Sequence, residues 1–265
     1  MDWWPAYLAL GAFVGFLAGL FGLGGGLQMV PVLVMIFAAQ GFPADYLMHL
    51  ALGTAMATII FTSVSSVWSH HKRGAVNWRV LRGFLPGILA GTLAGALAAG
   101  FVKTRPLSFF FVAFVYFAAW QMISGRKPRP EKTLPGPRGL AIAGGVIGAL
   151  SSLAAIGGAV LSVPYMVRCN VRMHEAVGTA ASIGFPIAIA GTAGYLISGW
   201  GRELPPGSVG FIYLPAALFI VAASVLTAPL GARAAHKLSG TTLKRAFAII
   251  LAALATKMLW DLLRF

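Results

Sequence analysis

The stretch GAFVGFLAGLFGLGGGLQMVPVLVMIF occupies residues 11–37, and GGVIGALSSLAAIGGAVLSVPYMVRC at residues 144–169 repeats its pattern. A shift of 133 positions superposes four glycines and a proline: Gly11, Gly15, Gly24, Gly25 and Pro31 on Gly144, Gly148, Gly157, Gly158 and Pro164. Each copy is apolar and is interrupted by a glycine cluster. Paired, glycine-interrupted apolar segments at corresponding positions of two halves are typical of the binding site of a secondary transporter.

Composition decides the class of protein. The 265 residues are 58% hydrophobic and only 10% charged, whereas a soluble domain carries about 25% charged residues. Several apolar segments also reach the length of about 20 residues that crosses a bilayer. The sequence therefore predicts an all-α polytopic membrane protein. The opening MDWWPAYLAL lacks a basic segment, so we expect the first helix to be retained in the mature protein.

The net charge of +14 does not indicate a nucleic-acid partner. Lys and Arg lie in short loops between apolar segments, which is the pattern of the positive-inside rule. The single cysteine, Cys169, excludes disulfides within the chain. The partners expected are a small anionic substrate and the lipid bilayer, and the sequence leaves the oligomeric state, including a homo-oligomer, open.

Two membrane repeats account for the chain, residues 1–124 and 139–265. They are joined by a proline-rich, charged linker at residues 125–138, which we expect to be cytoplasmic. Each repeat holds four hydrophobic segments, at about residues 7–38, 49–69, 80–101 and 107–124, then 140–168, 174–198, 208–230 and 243–263. The motif MHLALGTA at residues 48–55 matches MHEAVGTA at residues 173–180. Leu85-Pro86 is likewise paired with Leu214-Pro215.

Charge predicts the topology. If each glycine-interrupted element crosses the membrane once, the 20 Lys and Arg divide 12 to 8 between the two sides. If each element is a helical hairpin that returns to its starting side, the division is 15 to 5. The positive-inside rule favours the second arrangement. It predicts inverted repeats, each opening with a hairpin of two half-helices, and periplasmic termini in a bacterial inner membrane.

The glycine clusters are candidate substrate-binding elements. Unwound backbone within a membrane lies against protein or lines a polar cavity, and its free N–H groups, together with a helix N-terminus, favour an anion. Gly24, Gly25 and Gly26, with Gly157 and Gly158 in the second copy, are therefore predicted to bind substrate. Close helix packing is the alternative for these five. It is the expected role of Gly83, Gly87, Gly91 and Gly95, which recur every four residues.

Polar side chains near the clusters complete the candidate site. The residues predicted to bind substrate with the glycines are Gln28, Gly53, Thr54, Thr58, Ser151, Ser152, Gly178 and Thr179. The alternative is that the hydroxyl groups bond carbonyls of their own helix or bridge helices. His49 and His174 begin matching segments and are candidates for proton coupling, or are interfacial side chains without that role.

Enzymatic signatures are missing from the sequence. It contains no HExxH, GxSxG or nucleotide-binding motif, and six acidic residues leave little for acid–base pairs. We therefore expect that the protein is not an enzyme and that it has neither a metal site nor a cofactor.

The segment GFLAGLFGLGGGLQMVP at residues 15–31, followed by ALGTA at residues 51–55, resembles the TauE/SafE family of membrane permeases. AVGTA at residues 176–180 and LGARAAHKL before the last segment extend the resemblance over nearly the whole chain. The resemblance implies a duplicated eight-segment permease for sulfur-containing anions such as sulfite and organosulfonates. It places the family's glycine motif on Gly22, Gly24, Gly25 and Gly26, and its GT motif on Gly53 and Thr54. The second copy departs from this pattern, with Ala159 in place of glycine.

The sequence thus predicts a secondary transporter of a small anion that works by alternating access between the two repeats. The expected substrate is sulfite or an organosulfonate. A passive anion channel and a non-transporting membrane scaffold are the alternatives.

Overall fold

The computed structural model describes residues 3–21, 25–124, 133–235 and 240–264. Over these ranges the chain is almost entirely helical. One turn of 3₁₀ helix spans Ala44–Tyr46, and β1 (Ser208–Val209) and β2 (Ile212–Tyr213) are two short antiparallel strands. The α-helices are α1 (Trp4–Phe21), α2 (Gly26–Ala39), α3 (Leu47–Lys72), α4 (Trp78–Ala99), α5 (Thr104–Ser124), α6 (Pro137–Ala154), α7 (Ala159–Arg168), α8 (Met173–Ser198), α9 (Leu214–Ala235) and α10 (Gly240–Arg264).

Seven helices in the described ranges are long and apolar enough to cross a membrane: α3, α4, α5, α6, α8, α9 and α10. The prediction of an all-helical, multi-pass membrane protein is confirmed. Each glycine-interrupted element consists of two helices, but their lengths are unequal. The first helix has 18 residues in both copies, while α2 has 14 and α7 has 10. An 18-residue helix is about 27 Å long, which exceeds half of the hydrocarbon thickness.

Glycine sets the conformation at both interruptions. Gly25 has φ 73° and precedes α2, and Gly158 has φ 76° and precedes α7. A residue with a side chain rarely adopts this left-handed conformation, whereas glycine does so without steric cost. Residues 22–24, which include the predicted site residue Gly24, lie outside the described residues. The two equivalent glycines therefore start the second helix of each pair in the same way.

The second helix of the first pair ends beside the start of α1. Gln40, which follows α2, donates a hydrogen bond from its Nε2 to the hydroxyl of Tyr7 in α1. The rings of Tyr7 and Phe37 also meet, with centroids 6.4 Å apart. α1 and α2 therefore run in opposite directions.

The second pair follows the same course. Near the end of α7, the ring of Tyr165 meets that of Phe84 in α4 at a centroid distance of 5.8 Å. Phe84 lies beside the start of α6, since a Cβ atom at the neighbouring Gly83 would lie 2.6 Å from Cδ1 of Leu140. α7 thus ends near the level at which α6 begins.

Glycines bring α4 and α6 into backbone contact. A Cβ atom at Gly87 would lie 1.7 Å from the carbonyl oxygen of Ala141, and one at Gly91 would lie 2.0 Å from that of Gly145. At Gly95 the nearest atom is Oγ of Ser152, at 2.3 Å. Because the contacts advance along both helices together, α4 and α6 are parallel. The predicted packing role of the four-residue glycine repeat is confirmed.

α1 and α9 form the equivalent parallel pair. A Cβ atom at Gly15 would lie 2.4 Å from Cα of Ser224, and one at Gly231 would lie 1.9 Å from the carbonyl oxygen of Phe16. In both pairs, the first helix of one half packs on a later helix of the other half. The halves are therefore interlocked rather than placed side by side.

The centre of the molecule is the crossing of α3 and α8. A Cβ atom at Gly53 would lie 3.1 Å from Cβ of Tyr195, and one at Gly191 would lie 3.0 Å from Sδ of Met56. The contacts advance along α3 as they retreat along α8, so these equivalent helices are antiparallel.

The pairing of Leu85-Pro86 with Leu214-Pro215 is wrong. Gly11 packs on Ile220, whereas its equivalent Gly144 packs on Phe84, so α9 follows α4 with a shift of 136 residues. Leu214-Pro215 then corresponds to the first residues of α4. Pro215 is the second residue of α9, where the missing N–H has no intrahelical partner in any case.

Glycine-to-alanine substitutions at this interface test the packing. Gly87→Ala places a methyl group against a backbone carbonyl, and we expect a loss of about 1–3 kcal/mol in the free energy of unfolding. Gly145→Ala is the matched control, because its Cβ would lie 3.7 Å from its nearest neighbour, and alanine favours a helix by up to about 1 kcal/mol over glycine. Unfolding in detergent, followed by tryptophan fluorescence, gives both values. Equal stability of the two variants would contradict the packing role.

Candidate functional site

The tips of the two helical pairs touch. A Cβ atom at Gly26, the first residue of α2, would lie 1.8 Å from the carbonyl oxygen of Ala155, in the interruption between α6 and α7. The same atom would lie 2.9 Å from Cδ1 of Ile59 in α3. A residue with a side chain would not fit at Gly26. This contact brings the predicted residues Gly25 and Gly26 next to the second interruption, which holds Gly157 and Gly158.

Gln28 lies in the first turn of α2 and is fully buried. Neither its Oε1 nor its Nε2 has a hydrogen-bond partner among the described residues. Leaving a buried donor or acceptor without a partner costs about 1–3 kcal/mol each. The unpaired amide of Gln28 is therefore a candidate contact for a polar ligand.

Two serines of the second pair share this property. Ser151, in the last turn of α6, and Ser162, in the first turn of α7, are fully buried, and their hydroxyl groups have no partner among the described residues. Ser152 differs, because its Oγ donates to the carbonyl oxygen of Ala149 at 2.8 Å. Ser162 was not predicted, because its equivalent in the first repeat is Met29 and no polar pattern marks the position.

The N-termini of α2 and α7 add backbone donors to these side chains. The first residues of a helix have N–H groups without intrahelical acceptors, and neither Gly25 nor Gly158 carries a side chain that could cap them. Aligned peptide dipoles give each N-terminus about half a positive charge. The tips can therefore bind an anion without a charged side chain.

The threonines of the two Gly-Thr motifs differ from these side chains because their hydroxyl groups have hydrogen-bond partners. The Thr54 hydroxyl accepts the backbone N–H of Tyr213, at 3.0 Å, and the Thr179 hydroxyl accepts that of Asn77, at 2.9 Å. Tyr213 directly precedes α9 and Asn77 directly precedes α4. The threonine of each repeat thus binds the segment that leads into a helix of the other repeat.

The glycine of each motif completes the same contact. A Cβ atom at Gly53 would lie 2.2 Å from the carbonyl oxygen of Phe211, and one at Gly178 would lie 2.4 Å from that of Ala75. Both carbonyls stand two residues before the N–H that the threonine accepts. The structure therefore gives Gly53, Thr54, Gly178 and Thr179 a shared structural role, and substrate contact by these residues stays a prediction.

Thr58 connects α3 to the tip of the first pair. Its hydroxyl donates to the carbonyl oxygen of Ala55 at 2.7 Å and contacts Sδ of Met29 at 3.1 Å. Met29 follows Gln28 in α2. Thr58 therefore lies beside the tip, with its hydroxyl already hydrogen-bonded.

The two histidines occupy different environments. His49 is 2% exposed, and its Nε2 lies 3.0 Å from the carbonyl oxygen of Ala99 and 2.9 Å from that of Val102. It thereby satisfies carbonyls at the end of α4, as does Arg202, whose Nη2 donates to the carbonyl oxygen of Gly100 at 2.9 Å. His174 is exposed. Proton coupling by this pair stays a prediction.

Among the residues that the structure describes, no group of three or more His, Cys, Asp or Glu residues is placed to hold a metal ion.

Comparison with known proteins identifies the family. The model of the family described as sulfite exporter TauE/SafE matches residues 7–258. The chain belongs to the TauE/SafE family. Its relatives include a probable membrane transporter protein of Haemophilus influenzae, 39% identical over 253 residues that cover 95% of this chain and 96% of the relative. Probable membrane transporter proteins of Methanocaldococcus jannaschii and Bacillus subtilis are each 26% identical, with at least 95% of each chain covered. No solved structure matches this chain.

The resemblance seen in the sequence is therefore confirmed. This TauE/SafE protein is a multi-pass membrane transporter, and its relatives are named as transporters rather than as enzymes.

The threonine contacts of the TauE/SafE protein can be tested by substitution. Thr54→Val leaves the N–H of Tyr213 without its acceptor, and we expect a loss of about 1–3 kcal/mol in the free energy of unfolding. Thr54→Ser keeps an acceptor and should recover most of this loss. Thr62→Val is a matched control in the same helix, because the Thr62 hydroxyl bonds the carbonyl oxygen of Ile59 within α3. Unchanged stability of Thr54→Val in thermal unfolding would contradict the structural role.

Proposed function

We propose that this protein is a secondary carrier of a small oxyanion, sulfite or an organosulfonate, which binds where the tips of the two helical pairs meet. The observation that carries the proposal is the fully buried, unpaired amide of Gln28 in the first turn of a helix whose initial glycine touches the opposite tip. Ser151 and Ser162 add unpaired hydroxyl groups from the second pair. The family description supports a sulfur oxyanion.

The directions of the helices support inverted repeats. The equivalent helices α3 and α8 are antiparallel, and α1 is parallel to α9 as α6 is parallel to α4. α4 is also parallel to α8, because Asn77 and Thr179 meet near their starts and Gly100 and Ser198 meet near their ends. α1 and α6 then enter the membrane from opposite sides, as in transporters that alternate access between inverted repeats.

One difference between the repeats supports movement of the second pair. α2 packs against α10, but the equivalent helices α7 and α5 leave a groove of about 270 Å³ between them. The groove is mostly apolar and extends from Val160, near the tip, to Arg168 at the end of α7. In the proposed cycle, closing this groove and opening the contact between α2 and α10 exchanges the two access states.

Charge supports the orientation. With both pairs returning to their starting sides, the loops that carry 15 of the 20 Lys and Arg share one side, which would be the cytoplasm. The termini would then be periplasmic in a bacterial inner membrane. Linker residues 125–132 lie outside the described residues.

Transport in proteoliposomes tests the site. Gly26→Ala inserts a methyl group between the tips and should lower the rate of radiolabelled sulfite or sulfonate uptake at least about tenfold, a change equivalent to about 1.4 kcal/mol. Gly145→Ala, in the α4–α6 interface, should transport at the wild-type rate. A wild-type rate for Gly26→Ala would rule out the proposed site.

The same preparation separates the carrier from the other two functions. A carrier saturates with substrate and shows accelerated exchange when unlabelled substrate is present on the opposite side. A passive anion channel would conduct without saturation, and a scaffold would give no flux.

Cysteine accessibility tests the topology. In a Cys169→Ala background, single cysteines would replace Trp3 and Ala44, which flank the first pair, or Thr133 and Asn170, which flank the second; all four positions are exposed. Inverted repeats predict that a membrane-impermeant maleimide labels the first two in intact cells, and the last two only after the membrane is opened. Labelling of Trp3→Cys and Ala44→Cys from opposite sides would overturn the arrangement.

A further inference from the structure

We propose that Gln28 selects substrates that carry one negative charge together with their own hydrogen-bond donor, such as a hydroxyl group close to the charged oxygens; for sulfite, this is the hydrogensulfite form. This inference rests on the proposed function, because it concerns the ligand of the same site.

The hydrogen-bonding capacity of the amide leads to this selectivity. Gln28 offers two donors on Nε2 and an acceptor on Oε1, and both atoms are buried without partners among the described residues. An oxyanion oxygen can accept from Nε2 but has no hydrogen to give to Oε1. A ligand that also carries an O–H or N–H group can satisfy both atoms. A site built to hydrogen-bond such a group rejects an analogue that lacks it, because a buried polar atom is then left unpaired.

The charges around the tips point to a monoanion. The two helix N-termini together supply about one positive charge. The nearest neighbours of Gly25, Gly26 and Gly158 are uncharged: Val14, Ala18, Gln28, Ile59, Ile147, Ala155, Ile183 and Ile187. A dianion would leave about one unit of negative charge without compensation in a buried site, which is strongly unfavourable.

The difference between the repeats sets the orientation of the ligand. Leu161 of α7 is equivalent to Gln28 of α2 under the shift of 133 residues, so an amide is present only on the first pair. Ser151 and Ser162, on the second pair, can donate their hydroxyl hydrogens to anionic oxygens. The donor group of the substrate therefore faces α2, and its remaining oxygens face the second pair.

Matched sulfonates test the inference on the purified full-length protein. The probes are 2-hydroxyethanesulfonate, ethanesulfonate and 1,2-ethanedisulfonate, which differ in the hydroxyl group and in charge. Competition against the uptake of radiolabelled 2-hydroxyethanesulfonate, and direct titration calorimetry, give their affinities. Wild-type protein should bind the hydroxy compound at least about tenfold more tightly than either of the others.

Variants assign this preference to Gln28. Gln28→Leu has a similar volume and no polar atoms, so it should bind the hydroxy compound and ethanesulfonate with equal affinity. Its unfolding temperature should equal or exceed that of wild type, because an unpaired buried amide is removed. Gln28→Glu, which lacks the donors, should bind neither. Thr62→Val should keep the wild-type preference.

The outcomes separate the two levels of the proposal. If wild type binds both monoanions equally while Gly26→Ala abolishes binding, the selectivity is overturned and the proposed site stands. A preference that survives in Gln28→Leu also overturns the role of Gln28. If wild type binds and transports none of the probes, nor sulfite, the proposed function itself fails.

Discussion

Contact between backbones, made possible by glycine, is the constraint on which this structure depends. Apolar side chains gain little by leaving lipid for a protein interface, so packing between membrane helices relies on close approach and hydrogen bonds. Here α1 meets α9 and α4 meets α6 with glycines whose Cβ atoms would collide with backbone atoms. The same device operates at the tips, where Gly26 meets Ala155. The interlocking of the halves and the contact at the candidate site thus both depend on close backbone packing at glycine.

This constraint explains how far the sequence predicts the fold. A glycine repeat of four residues has one plausible use in a membrane helix, so the packing faces and the duplication could be found from spacing alone. The register between α4 and α9 could not, because Leu85-Pro86 and Leu214-Pro215 match only in residue type. Packing against the first helix of the other half fixes that register. It places Ile220 opposite Gly11, where the pairing by residue type would have placed Tyr213.

The candidate site was predictable in part, for a similar reason. Sequence marks a hydroxyl group in an apolar helix as unusual but does not show what it bonds. The acceptor role of Thr54 toward Tyr213 joins residues 159 positions apart, and no local pattern contains such information. The histidines show the same limit, since equivalent positions give His49 two carbonyl partners and leave His174 exposed. Gln28 is distinguished by a missing partner, which only the packed structure can reveal.

Placing a site at the contact between two tips has a mechanical consequence. A ligand that bonds Gln28 on one pair and Ser151 or Ser162 on the other bridges the repeats, so its binding free energy depends on their relative position. A ligand shifts a conformational equilibrium only by its difference in affinity for the two states. Under the proposed function, the ligand that pairs Gln28 completely would also favour the state in which the tips are closest. The looser packing of α7 against α5, compared with α2 against α10, would leave the second pair free to respond. Selectivity and movement would then have the same origin, in polar groups that are satisfied only when the tips close around the ion.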